Sequence, residues 1–359
     1  MDYSRNRHDA FVEEFAERLD GYGIDELQPW YARAEWLVNG YVYATQLEGD
    51  IFLVPDNNIV QDFKHRDKEK RNLLRLSYLA FSRFAKHWSP RASRLAISPV
   101  IVYEHIGRQL TNPVGARVAM ESLFHHFGEL DLPIHGIGYQ SPKELSELIK
   151  AIHGDAAVMA QLVRDLDTRS WAMKLRRGNL RLIPSALADE AAPKTLSLSY
   201  FDPWYVRRAL CCQIEQRIIQ QSREQLGEEP LGADEYSKTM AELNTISSRQ
   251  NFLTGLGDLD LLQTCDLRLQ HQNPNQRVML GQTFDQALSN VLRLSSRLVR
   301  GTHVEFGQPD TERQIASMIE TILRPSQVFQ AEQSRLDEVA PSAASFLDAA
   351  LDVCRRLMK

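Results

Sequence analysis

Between residues 8 and 20, Phe11, Phe15 and Leu19 recur every four positions, which puts them on one face of a helix, and Gly21 follows as a stop. A second apolar group, Trp30, Tyr31, Trp36, Leu37 and Tyr41, predicts a helix followed by a connection. The pattern then changes. Ile51-Phe52-Leu53-Val54 is a continuous apolar run closed by Pro-Asp-Asn, the signature of a strand buried on both faces that ends at a turn. From 58 to about 86 the helical pattern returns, with Lys64, Arg66, Lys68, Lys70 and Arg71 early and Leu73, Leu76, Leu79 and Phe84 later. Leu95 to Ile97 predicts another short strand. Ser98-Pro99 after it supplies an N-cap and a residue suited to a first helical turn, so Glu104 falls about one and a half turns into the next helix.

The segment from about 108 to 245 is almost entirely helical in pattern. Ser141-Pro142-Lys143-Glu144 is a capping box, followed by Leu145, Leu148, Ile149 and Ile152 and closed at Gly154. Asp202-Pro203 starts a helix with Val206, Leu210, Ile214 and Ile218 on one stripe, ending at Gly227. After Gly255-Leu256-Gly257, a cap at or near Asp258 predicts a helix through His271, ended by Pro274. Val278-Met279-Leu280 predicts a strand, Thr283-Phe284-Asp285 a turn, and 286–299 a helix. Two or three further helices are divided at Pro309, Pro325 and Pro341. No internal repeat or low-complexity tract interrupts the series.

Composition narrows the class. With 359 residues and 43% hydrophobic content the chain can bury a substantial core. Cys211, Cys212, Cys265 and Cys354 lack C-x-x-C spacing, which argues against a zinc site or a disulfide framework and favours a reducing, cytoplasmic setting. No window reaches the roughly 20 apolar residues that span a bilayer, so no membrane association is expected. The net charge of −5 gives no overall basic field, and any nucleic-acid contact must come from local patches.

The candidate chemistry is carboxylate chemistry. Asp56 and Asp285 each follow an apolar strand, Glu104 lies on a helix, and Asp258 or Asp260 sits at a helix start. In open parallel sheets, groups just beyond the carboxyl ends of strands are the ones that can meet. An all-acid cluster suits hard cations such as Mg²⁺ and Mn²⁺, which prefer oxygen ligands. Singly, each Asp also reads as a turn or N-cap residue, and Glu104 as a solvated helix residue.

Four segments together resemble the PIN-like domain nuclease family. Ile51-Phe52-Leu53-Val54-Pro55-Asp56-Asn57-Asn58 is similar to the family's opening strand, and Ile97-Ser98-Pro99-Val100-Ile101-Val102-Tyr103-Glu104 to the helix bearing the second acid. Gly257-Asp258-Leu259-Asp260-Leu261-Leu262 resembles the helix start with the third acid, and Val278-Met279-Leu280-Gly281-Gln282-Thr283-Phe284-Asp285 the strand and turn of the fourth. The likeness covers 50–106 and 250–300, under half the chain, and one middle strand is not located.

The resemblance implies an α/β fold, a PIN-like parallel sheet flanked by helices. Its parts would be a helical extension at 1–49, core segments at 50–106 and 250–300, a large helical insertion at 107–249 and a helical segment at 301–359. It further implies Mg²⁺- or Mn²⁺-dependent hydrolysis of phosphodiesters, RNA ahead of DNA, with Asp56, Glu104, Asp260 and Asp285 catalytic. Asp56, Asp258, Asp260 and Asp285 would be the metal ligands, leaving the third acid open between Asp258 and Asp260, and Asn58 and Thr283 would support them. By family analogy such a nuclease acts in toxin or defence systems, with a protein partner or inhibitor reached through the insertion. A phosphate track is expected at Lys174, Arg176, Arg177 and Arg181, where no acid intervenes. Two other readings share the fold or the acids: a non-catalytic binding or scaffold protein, and a metal-dependent phosphatase on small phosphoesters. His125, His126, His135 and His153 lack metal spacing. Gly255-Leu256-Gly257 lacks the third glycine of a dinucleotide fingerprint.

Overall fold

A computed structural model describes residues 3–45, 49–165, 184–227, 247–249, 252–265, 277–285, 288–289, 292 and 327–358. The chain is mixed α/β. Its elements are α1 (Tyr3–Arg18), α2 (Ile24–Ala44), β1 (Asp50–Pro55), α3 (Asn57–Lys64), α4 (Glu69–His87), β2 (Ser93–Ile97), α5 (Pro99–His105) and α6 (Pro113–Phe127). A 3₁₀ turn at Gly128–Leu130 leads into β3 (Ile134–Gly136), then α7 (Pro142–Asp165), α8 (Pro184–Ala191) and α9 (Pro203–Leu226). The last described elements are β4 (Ser247–Arg249), β5 (Phe252–Thr254), α10 (Leu256–Thr264), β6 (Arg277–Gln282) and α11 (Gln327–Leu357).

Four strands form a parallel sheet in the order β3-β2-β1-β6. Parallel pairing with helices on the faces explains why β1 reads as an unbroken apolar run: Ile51, Leu53 and Val54 are fully buried and Phe52 nearly so. The chain moves outward from β1 through β2 to β3 and returns to the other side of β1 as β6. The direction of winding therefore reverses between β1 and β6, the position where open α/β sheets form a crevice beyond the strand ends. Ile51 pairs with Val278 and Pro55 with Gln282, so β1 and β6 end level with each other.

Helices α1, α2, α4 and α11 pack together, and aromatic rings join them. Phe346 of α11 lies 5.1 Å from Phe11, 5.3 Å from Phe84 and 5.5 Å from Trp88, centroid to centroid. Residues from both ends of the chain thus share one hydrophobic core with the sheet. A separate small cluster, Leu187, Ala188, Ala192, Ile214 and Ile218, joins α8 to α9.

Several expectations change. The helix expected over 58–86 is two, because α3 ends at Lys64 and α4 starts at Glu69. One strand, β3, lies inside the stretch read as a helical insertion. It pairs with β2, and α7 packs on α5 and α6. Gly154 does not end α7, which runs on to Asp165; the glycine is accommodated inside the helix. Pro341 is likewise inside α11, where it forfeits one backbone hydrogen bond without ending the helix. Two short antiparallel strands, β4 and β5, were not expected, and β5 leads straight into α10. The cap of α10 is Gly255, whose φ of 88° favours glycine, rather than Asp258. Other readings hold: Ser98 caps α5 by accepting the Ile101 N–H at 3.2 Å, and Asp202 and Gly227 bound α9.

Candidate active site

Asp56 follows β1 and caps α3. Its carboxylate accepts the Asn58 backbone N–H at 3.3 Å and the Asn58 side-chain amide at 3.0 Å. Because β1 and β6 end together, Thr283 stands beside Asp56 and its hydroxyl donates to Oδ2 at 2.9 Å. The Asp56 N–H continues the sheet ladder to the Gln282 carbonyl at 2.8 Å. Thr283 Oγ1 also accepts the Asp285 N–H at 3.0 Å, and Asp285 Oδ1 accepts the Leu288 N–H at 3.0 Å. One buried hydroxyl thus ties the two acids across the winding reversal. Burial raises the Asp56 pKa; the Thr283 and Asn58 hydrogen bonds oppose the rise and the Asp285 charge adds to it. Asp285 itself is exposed.

Glu104 arrives from α5, the helix that Ser98 and Pro99 start directly after β2. Its side chain is only 6% exposed and pairs with Arg108 one turn on at 2.9 Å. A Cβ on Gly257 would lie 3.2 Å from Glu104 Oε2, so the carboxylate rests against the first turn of α10, where a glycine leaves room for it. Burial raises the Glu104 pKa, Arg108 works against that, and Asp56 and Asp260 add to it.

The two acids of α10 differ in their surroundings. Asp260 is 1% exposed and held by donors: Tyr200 Oη at 2.7 Å, Gln263 Nε2 at 3.4 Å, and the Ser98 and Thr264 hydroxyls. Since Ser98 already accepts the Ile101 N–H, its own proton is directed to Asp260, which ties α10 to the β2–α5 turn. Burial raises the Asp260 pKa against these four donors. Asp258 has no such company. Among the described residues none donates a hydrogen bond to it or pairs with it. Burial pushes its pKa well above the ordinary carboxylate value, and the charges of Asp56, Asp285 and Glu104 push it further.

Asp56, Glu104, Asp258 and Asp285 therefore repel one another across the crevice beyond β1 and β6, and Asp260 adjoins Glu104. Every donor atom they offer is a hard oxygen, which fits Mg²⁺ or Mn²⁺ in kind. As the side chains stand, no three Asp, Glu, His or Cys among the described residues are grouped so that they could hold a metal ion. Supporting roles for Asn58 and Thr283 take the form of donation to Asp56.

Sequence reasoning missed three residues here. Tyr200 and Ser98 hold Asp260, and Asp62 on α3 is a 1%-exposed carboxylate paired with Arg71 at 2.6 Å. Burial lifts Asp62 to about 6, Arg71 opposes the rise and Asp56 contributes to it. Its position two turns after Asp56 was the available signal. Asp155 is buried too and accepts three successive backbone N–H groups, from Ser199, Tyr200 and Phe201, fixing the loop that delivers Tyr200. Lys174, Arg176, Arg177 and Arg181 lie outside the described residues, as do 266–276.

Comparison with known proteins yields no matching family model, no matching curated protein and no matching solved structure. None of the four cysteines forms a disulfide. No helix among the described residues is long and apolar enough to cross a membrane.

Proposed function

We propose that this chain is a divalent-cation-dependent nuclease, acting on RNA ahead of DNA, with a PIN-like core whose acids are Asp56, Glu104, Asp258 and Asp285. The observation that carries the reading is Asp258: a buried carboxylate on which the charges of Asp56, Asp285 and Glu104 all act, with no hydrogen-bond donor or cation beside it among the described residues. Such a group costs stability in its charged form unless a positive ligand offsets it, the alternative being to take up a proton. Asp258 is preferred to Asp260 as the third acid because four donors already occupy Asp260. The site's place at the reversal of strand winding gives independent support, as does the resemblance of the four acid-bearing segments to PIN-like nucleases.

A bound Mg²⁺ or Mn²⁺ would lower the pKa of a water and offset charge on the scissile phosphate. The chain's own part is positional. Asn58 and Thr283 orient Asp56, Arg108 holds Glu104 against α10, and Asp285 is tied to the same end of the sheet through the Thr283 hydroxyl.

The test is a cleavage panel of labelled RNA, single-stranded DNA, duplex DNA and a chromogenic phosphoester, each with Mg²⁺, Mn²⁺ or EDTA. Cation-dependent cleavage of RNA is expected. Turnover of the phosphoester alone would establish a small-substrate phosphatase, and inertness toward the whole panel would leave a binding role.

A further inference from the structure

Residues far apart in sequence converge at the far end of α3. Lys64, His65 and Arg66 close that helix, and His125 and His126 close α6, which packs beside it. The His126 ring lies 6.1 Å from His125 and 5.8 Å from His105 of α5. His105 forms the inner wall, its Nε2 within 3.2 Å of Ser122 Oγ.

Lys64, Arg66 and His125 are exposed, and neither Lys64 nor Arg66 makes an ion pair with a described residue. Asp67 and Glu69 follow closely in the chain, and Glu121 precedes His125 by one turn of α6. Even so, the neighbours that act most on His126 are all basic. Burial lowers its pKa first, and His125, Lys64, Arg66 and His65 lower it further.

We propose that Lys64, Arg66, His125 and His126 form a phosphate-binding surface that holds the backbone of a single-stranded nucleic acid whose scissile phosphate lies at Asp56. The proposal rests on the nuclease reading. Eight residues of α3 separate Asp56 from Lys64, a rise of ~12 Å at 1.5 Å per residue. At the 3.4 Å per-strand spacing of a duplex that is roughly three to four nucleotides. One strand can therefore contact both ends of α3. An acidic peptide would satisfy the charge but has no reason to lie in line with the acids.

The test measures binding apart from cleavage. A labelled 15-nucleotide single-stranded RNA is titrated in EDTA with the full chain and with Lys64→Glu/Arg66→Glu, by fluorescence anisotropy at several salt concentrations. The double variant is expected to bind at least tenfold more weakly at 0.1 M salt. The milder Lys64→Gln/Arg66→Gln should flatten the slope of log K against log salt by ~1.4, the loss of two phosphate contacts on a single strand; it also serves should the reversal not fold. Unchanged affinity and slope in a folded variant overturn the proposal even if the parent cleaves RNA. So does a parental chain that binds no oligonucleotide, or one from which poly-glutamate displaces RNA at equal charge concentration. Conversely, a patch-dependent affinity in a chain that cleaves nothing with Mg²⁺ or Mn²⁺ sinks the nuclease reading and leaves a polyanion site.

Discussion

Replacing each acid of α10 by its amide separates their roles. Asp260 accepts from Tyr200, Ser98, Gln263 and Thr264 through two oxygens, and an asparagine offers only one oxygen while turning an NH₂ group toward donors. Tyr200, whose pKa is raised well above normal by burial and by Asp260, stays protonated and donates to that carboxylate. Losing one or two hydrogen bonds to a buried carboxylate, at about 1.5–3 kcal/mol each, outweighs the relief from no longer burying a charge that four donors already support. Asp260→Asn is therefore expected to lose ~2–4 kcal/mol. Asp258→Asn loses no donor and removes a charge facing three others, so it should be more stable than the parent in EDTA. Because its folded pKa lies above the unfolded one, the stability that the protonated Asp258 contributes is full below its unfolded pKa and lost as pH rises through the folded value. The variant's advantage should accordingly be present at pH 7.5 and vanish as pH falls toward 4. Urea denaturation at several pH values measures both midpoints. Equal shifts in the same direction for the two variants would refute the division of roles.

Other consequences are as direct. Thr283→Val keeps the shape but deletes the donor to Asp56 and the acceptor for the Asp285 N–H; it should cost ~2 kcal/mol, and a urea midpoint equal to the parent's would show that the hydroxyl does not tie the acids. Asp62, lifted from 3.8 to about 6 by burial, contributes stability that is full below 3.8 and lost as pH rises through about 6. Asp62→Asn should thus gain on the parent across that window, by at most ~3 kcal/mol, and a constant difference across it would show that the Arg71 pair governs instead. Millimolar Mn²⁺ should raise the melting temperature of the parent and do so less in Asp258→Asn; identical responses would remove Asp258 from the cation site.

The parts of this architecture that depend on local pattern were legible in the sequence. β1, β2 and β6 announce themselves as short apolar runs, of which β1 is covered on both faces, and α5 and α9 because Ser98-Pro99 and Asp202-Pro203 are strong starts. β3 was not legible. Three residues, Ile134-His135-Gly136, carry no periodicity, and only pairing with β2 makes them a strand. Gly154 and Pro341 misled for a related reason: tertiary packing of α7 and α11 outweighs the local cost of each residue. At the site, the spacing of Asp258 and Asp260 could not rank them, since the difference lies in donors brought from residues 98 and 200. Lys64 and Arg66 were legible as a basic start to the helix after Asp56, but mixed with Asp67 and Glu69 they read as a solvated face; their approach to His125 and His126 comes from the packing of α3 against α6.

The acids at the β1–β6 reversal are proposed to carry out cation-dependent cleavage. Asp56→Asn tests it most directly, because the amide can still accept from Thr283 and Asn58 while removing the negative charge. The measurement is the single-turnover cleavage rate of labelled RNA at saturating Mn²⁺, normalised to folded protein by circular dichroism. The parent is expected to cleave, and folded Asp56→Asn to lose at least a hundredfold in rate, about 3 kcal/mol of transition-state stabilisation. A folded Asp56→Asn protein that cleaves at the parental rate would contradict that proposal.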